Sequence, residues 1–526
     1  MKKFTTLLLI LIILTGVVSA AFTDADKITE DFTDAVEYMS EQQIITGFPD
    51  GSFKPKDTLT RAQAAKIICT MLEGADKVES ISASASFADV PAEHWASKFI
   101  GYCADKGIVS GVGNNKFNPN GQLTGAAFGK MLLVAHGHDA EKDKLVGENW
   151  VINVQRALRT ENANYKVAAS EDPMKREQAC QMAYNFVMNK VINSAEGYKE
   201  ETIGFTSSNV KLLGKAQMTS DGVRCNYPCD GVEFTVDCKG TLQFTYNAKA
   251  SAGVVMFVDG KDYLPRANVG TGAGTSTACR FILPGEHTIR IQQDTEINTS
   301  GLYLTLTGFK AECKSAAIKP TKANDLYIEF IGDSITAGCC VSGEPGSLYH
   351  SGSQSYAFFT AQKLNADYAL IAKGSQGFRE EKWQKGVSVD EMFLYQNPWV
   401  NKTDKAVRAR TPDIFVMAMG QNDTEETPDT PYHDRMSAFV KLVRQTLGPK
   451  TKIVLIYGMM TSKHTGTVEQ VCEELGGAAS GYYVFRMPTL NNGAGSSATA
   501  TKHPSGADNQ ISSDALVEFL KTNVLK

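Results

Sequence analysis

Four short blocks within residues 325–526 carry side chains that could attack a carbonyl and hold the charge that develops on it. The first is Ile331-Gly332-Asp333-Ser334-Ile335-Thr336, where a serine directly follows an apolar run. A serine at a strand-to-helix turn is exposed, and its own N–H points toward whatever its oxygen attacks. The second block is Lys373-Gly374-Ser375-Gln376-Gly377, in which Gly377 lets backbone approach a ligand closely. In the third, Gly420-Gln421-Asn422-Asp423, the Asn422 amide could donate to an oxyanion. A base must come from His350, His433, His464 or His503. His503 stands before an amphipathic stretch with Leu516, Phe519, Leu520 and Val524 at helical spacing, so its loop can fold back to the first block. Asp333 reads as a brace for the serine turn and Asp423 as a loop hydrogen-bonder. Trp383 and Trp399 suit either a sugar ring or plain packing. No metal-ligand cluster stands out, and no cofactor is expected.

Buried-type strands at 327–331, 368–372, 413–419 and 452–457, with helix-length segments between them, position these blocks. Such alternation predicts a parallel α/β sheet with its active groups at the strands' C-terminal ends. A Lys/Pro/Thr connector over 314–324 precedes it. Before that, 203–313 holds short alternating runs punctuated by Gly, Asn and Asp, the pattern of an antiparallel β-sandwich. Its expected work is a carbohydrate-facing wall or support for the α/β segment beyond the connector.

The first part of the chain repeats itself. Leu59-Thr60-Arg61-Ala62-Gln63 recurs as Leu123-Thr124-Gly125-Ala126-Ala127, and Phe22-Thr23-Asp24 as Phe87-Ala88-Asp89. A worn third copy runs from Trp150 to Met174-Lys175-Arg176-Glu177-Gln178. Each unit reads as helix, Gly/Pro turn, capping Thr and second helix. One such hairpin cannot bury its apolar face alone, so the three are expected in one bundle.

The 526 residues are too many for one ordinary core. With 53 Lys+Arg against 58 Asp+Glu, no field for a polyanion exists at chain level, which argues against nucleic acid. Lys2 and Lys3, the apolar run 7–18 and Val18-Ser19-Ala20 form the three parts of an export signal over 1–20. No later stretch is apolar enough to span a membrane. Eleven cysteines, an odd number for an exported chain, include no Cys-x2-Cys zinc pair. Buried free thiols and one or two disulfides both stay open. The expected segments are 1–20, 21–197, 203–313 and 325–526.

The repeats over residues 22–195 resemble S-layer homology (SLH) modules, which anchor exported proteins to cell-wall polymers. The resemblance implies that Arg61, and more loosely Arg176, meet an anionic secondary cell-wall polymer; Gly125 stands where the middle copy would carry its arginine. The order Gly-Asp-Ser, Gly, Gly-x-Asn, His over residues 325–526 resembles the SGNH (GDSL-type) hydrolases. That resemblance implies Ser334 as nucleophile, His503 as general base, and an oxyanion hole made by the N–H groups of Ser334 and Gly377 with the Asn422 side chain. The family usually places an Asp three residues before the His, where this chain has Ala500. A preceding sandwich together with a Ser-His dyad lacking that Asp resembles carbohydrate esterase family two. The implied fold is an α-helical SLH bundle, a jelly-roll-like β-sandwich and an α/β hydrolase with a flavodoxin-like parallel sheet. The implied function is a secreted, wall-anchored esterase removing O-acetyl groups from a polysaccharide. The alternative is an inactive glycan-binding or structural wall protein.

Overall fold

The computed structural model describes residues 22–161, 163–262, 266–296, 303–341, 350–378, 386–423, 429–460, 464–488 and 503–526. The expected export signal at 1–20, Trp383 and Ala500 lie outside them. The chain divides into two compact units, Met1–Ser194 and Ala195–Lys526.

The first unit is helical, and its repeats close on each other. Leu59 N donates to Met174 O (2.8 Å), Met174 N to Leu123 O (2.9 Å), and Leu123 N to Leu59 O (2.9 Å). The three segments before the second helices thus form a ring, and the worn copy takes the third place in it. Thr60 caps the helix Arg61–Glu73 through a full capping box with Gln63, and Thr124 caps Gly125–Ala135. The aspartates of the Phe-x-Asp motifs clamp the turns. Asp24 accepts from Phe53 N (2.7 Å) and Lys54 N (2.9 Å), and Asp89 from Phe117 N (2.7 Å) and Asn118 N (2.8 Å). One apolar core runs through all three copies, from Ala35 to Phe186. No helix among the described residues is long and apolar enough to cross a membrane.

In the second unit eleven of the antiparallel strands described form one hydrogen-bonded network, and Tyr395–Asn397 pairs separately with Asn401–Lys405. The backbone of the network is the 18-residue strand Gly231–Ala248, flanked by the 22-residue strand Gly272–Gln293 and by Leu304–Cys313. Register irregularities between Cys238 and Gln243 interrupt the long pair, and such bulges bend a sheet.

Five parallel strands follow: β1 (Tyr327–Gly332), β2 (Asp367–Ala372), β3 (Ile414–Ala418), β4 (Lys452–Gly458) and β5 (Tyr482–Met487). Their order is β2-β1-β3-β4-β5, the arrangement of flavodoxin-like doubly wound sheets. Side chains alternate between two cores, as strand geometry requires. Ile331, Ile371, Phe415, Met417 and Leu455 face one, and Ile328, Phe330, Leu370, Val416 and Val454 the other. The antiparallel sheet shares the second core: Cys229, Val255 and Phe257 pack there, with Phe257 stacked on Phe358 at 5.7 Å. Residues 203–313 and 325–526 both lie in the second compact unit, Ala195–Lys526.

Candidate active site

β1 ends at Gly332 and the chain turns at once, with Ala337 N donating to Asp333 O (3.0 Å) and Cys339 N to Ser334 O (2.8 Å). A Cβ at Gly332 would overlap Thr336 Oγ1, so only glycine admits this turn. Asp333 is buried, and its Oδ1 accepts from Ile335 N at 3.0 Å, bracing the turn that carries Ser334. Burial and the nearby Asp423 carboxylate push the Asp333 carboxyl up to about 7, even though the Ile335 N–H works in the other direction.

His503 closes the site from the far end of the chain. Ser505 caps the helix Gly506–Phe519 through a capping box with Asp508, which fixes where the preceding loop leaves the helix. From that loop His503 Nε2 lies 2.9 Å from Ser334 Oγ. The other three histidines go elsewhere. His433 bonds Asp434 and Glu474 on the surface, His464 stacks on Tyr432, and His350 faces Cys339.

The two middle blocks meet beside the serine turn. Asn422 Nδ2 is 2.8 Å from the Gln376 carbonyl and 3.4 Å from Asp333 Oδ2. Asn422 therefore touches the residue before Gly377 and the residue before Ser334 at once. Gly377 lies against Asp423, whose carboxylate would stand 2.9 Å from any Cβ there. The same carboxylate accepts from Phe378 N at 3.2 Å. All four blocks thus converge at the C-terminal end of the parallel sheet. Trp399 packs edge-on against Tyr227 at 6.0 Å.

Three features have no signal in the sequence pattern. Glu296, three residues past the strand Gly272–Gln293, accepts from Lys373 Nζ and Gly374 N, each at 2.7 Å, and so braces the loop of the second block. Buried Glu329, inside β1, holds Arg408 through two contacts of 2.7 Å. The sequence spacing offered no metal-ligand cluster. In the fold, ligand atoms of Cys339, Cys340 and His350 lie within 4.8 Å of one another.

In the helical unit, Arg61 and Arg176 occupy equivalent places. Arg61 Nε donates to Phe117 O and Arg176 Nε to Phe53 O, each at 2.9 Å, with each guanidinium over an aromatic ring. Arg176 lines a cavity of about 530 Å³ with Thr46, Phe48, Lys66 and Trp95, and Arg61 lines one of about 320 Å³. At the middle position, a side chain on Gly125 would press on Ser170 N at 3.0 Å.

Comparison with known proteins agrees with this layout. Residues 21–65 and 86–128 match the S-layer homology domain, and residues 328–516 match the GDSL-like lipase/acylhydrolase family. The chain therefore carries S-layer homology domains ahead of a GDSL-type hydrolase domain. It is 35% identical over 114 residues to S-layer protein EA1 of Bacillus anthracis, covering 22% of this chain and 12% of that protein. It is 34% identical over 89 residues to Cell surface glycoprotein 1 of Acetivibrio thermocellus, covering 17% of this chain and 4% of that protein. The chain thus spans a small fraction of these curated relatives. Among solved structures, a family two carbohydrate esterase from Clostridium thermocellum aligns with a TM-score of 0.54 at 21% identity, over 60% of this chain and 99% of that one. An acetyl xylan esterase from the rumen bacterium Butyrivibrio proteoclasticus aligns at 0.53 and 18% identity, over 61% and 98%. At these identities the likeness is one of fold.

Proposed function

We propose that this protein is an exported esterase, held at the cell surface, that removes O-acetyl groups from a polysaccharide. The observation that carries the reading is the 2.9 Å approach of His503 Nε2 to Ser334 Oγ at the C-terminal end of β1. Ser334 Oγ attacks the acetyl carbonyl while His503 takes the hydroxyl proton. The tetrahedral oxyanion receives the N–H groups of Ser334 and Gly377 and the Asn422 amide, which turns one N–H from its present neighbours. Collapse expels the sugar hydroxyl, protonated by His503, and leaves an acetyl-serine. Water, deprotonated by the same imidazole, then releases acetate and restores Ser334.

The antiparallel domain, read as a jelly-roll-like sandwich, walls the site through Glu296. The repeats supply the anchor, with Arg61 and Arg176 facing an anionic secondary cell-wall polymer across the two cavities. The S-layer homology domains and the surface proteins they resemble support this placement.

The test is acetate release from 4-nitrophenyl acetate and from an acetylated xylan by the mature protein. Ser334→Ala and His503→Ala should each abolish it. A folded protein releasing no acetate from either substrate would instead mark the domain as an inactive glycan-binding module.

A further inference from the structure

We propose that Cys339, Cys340 and His350 form a binding site for one zinc ion beside the Ser334 turn. Cys339 Sγ lies 3.3 Å from Cys340 Sγ and 3.1 Å from His350 Nε2. In a tetrahedral site, bond lengths of about 2.3 Å to sulfur and about 2.0 Å to nitrogen put ligand atoms about 3.5–3.8 Å apart. Both measured edges are about half an ångström shorter than that spacing, so a small outward movement of the side chains is what an ion would require.

The backbone is already arranged for it. Neighbouring side chains normally diverge, but Cys340 adopts a left-handed φ of 55°, and its thiol lies beside that of Cys339. Ser351 N donates to Gly338 O at 2.9 Å, which ties the segment bearing His350 to the one bearing the cysteines. A Cβ on Gly338 would strike Ser351 O, so this close pairing needs glycine. His350 is pinned in turn, its carbonyl accepting from Arg266 at 2.5 Å.

A second observation points to a ligand. His350 Nδ1 is buried without a hydrogen-bond partner, 3.9 Å from the Glu296 carboxylate. A metal on Nε2 fixes the proton on Nδ1 and draws it toward Glu296, the outer-carboxylate arrangement that orients metal-bound histidines. Two thiolates and one imidazole, with no further ligand in the cluster among the described residues, suit zinc with one open position. Two thiolates also cancel the charge of the ion, so the buried site stays neutral. Each cysteine gives up its proton as the ion binds. Because Cys339 N holds Ser334 O, the ion would pin the turn that carries Ser334.

The test uses untagged mature protein, reduced, stripped of metal by a chelator and titrated with Co²⁺ as a spectroscopic stand-in. The wild-type chain and a Cys472→Ser control should bind one Co²⁺ per chain with a thiolate-to-metal charge-transfer band that Zn²⁺ abolishes. Cys339→Ser, Cys340→Ser and His350→Gln should each weaken Zn²⁺ at least about 10-fold. Zn²⁺ should also raise the melting temperature of the wild-type chain by clearly more than that of His350→Gln. That second measurement decides if a cysteine variant fails to fold. Absence of the charge-transfer band, a band unchanged in both cysteine variants, or a Cys339–Cys340 disulfide that forms in place of metal binding would each overturn the proposal.

Discussion

Glu296 accepts the backbone N–H of Gly374 at 2.7 Å, so a residue of the antiparallel domain holds the loop that leads to Gly377. The same carboxylate takes the Lys373 ammonium at 2.7 Å and is itself buried. A buried carboxylate with two donors is a rigid post, and Gly377 follows Gly374 by three residues. The antiparallel sheet therefore positions one of the proposed oxyanion donors as well as packing against the hydrolase core.

Glu296→Ala should lower kcat for 4-nitrophenyl acetate by about 10- to 100-fold, the scale expected when a donor is misplaced by an ångström. KM should stay within about threefold, because the small substrate touches little of the loop. Glu296→Gln keeps an acceptor for Gly374 N and should recover most of the loss. Equal loss in both variants would show that the ion pair with Lys373, not the backbone contact, sets the loop.

Ser334 and His503 should behave as one unit. Each alanine variant is expected to lose at least about 100- to 10,000-fold in kcat, the usual contribution of a positioned base. The double variant should fall no further than the worse single one, since neither group works without the other. Steady-state rates of the four proteins check this, and additive losses would separate the two residues' roles.

The hydrolase sheet is legible in the sequence because its strands are buried on both faces and read as apolar runs, and each proposed site residue follows such a run or stands before a capped helix. β5 is the exception. Tyr482-Tyr483-Val484-Phe485-Arg486 lies at the sheet edge, half-buried, and lacks the uniform apolar signature of β1. Ser334 and His503 stand out by residue type and block order although they are 169 positions apart. Glu296 does not, because nothing in the loop after the strand Gly272–Gln293 marks a glutamate that reaches Lys373 and Gly374. The Cys339–Cys340–His350 cluster is silent for a related reason. Its spacing is made by the Gly338–Ser351 pairing, not by local sequence. The worn third repeat is legible only faintly, from Trp150 to Met174-Lys175-Arg176-Glu177-Gln178, yet the ring through Leu59, Leu123 and Met174 requires it.

Asp333 makes stability depend on pH in a definite direction. Its carboxyl titrates near 7 when folded, against an ordinary 3.8. Between those values the folded chain keeps a proton that the unfolded chain has released, so stability falls as pH rises through this window. Asp333→Asn carries no charge at any pH and lacks that loss. Its stability relative to wild type should therefore improve from pH 5 to pH 8, by at least about 1 kcal/mol. Asp230 is also pushed up to about 7, but it is present in both proteins and cancels in the difference. Urea unfolding of the two proteins at both pH values reads the change. A difference that is flat with pH would remove Asp333 from this role.

The anchor can be weakened without touching the hydrolase. Thr60 accepts from Gln63 N and its own N–H donates to Gln63, a reciprocal pair at the start of the helix that carries Arg61. Thr60→Ala removes the side-chain half and should cost about 1 kcal/mol. For a unit of this size that corresponds to about 2–4 °C in the melting temperature of the helical part. Arg61→Ala loses its bonds to Phe117 O and Ser110 O and its place over the Phe117 ring, and also the charge proposed to meet the polymer. Arg61→Lys keeps the charge but lacks the planar fork. Co-sedimentation with purified cell walls should therefore rank wild type and Thr60→Ala together, Arg61→Lys lower and Arg61→Ala lowest, with binding that weakens as salt is raised. Esterase activity in solution should be the same in all four, because the site at Ser334 lies wholly within the second unit. Equal sedimentation of all four would assign Arg61 a purely structural place in the bundle.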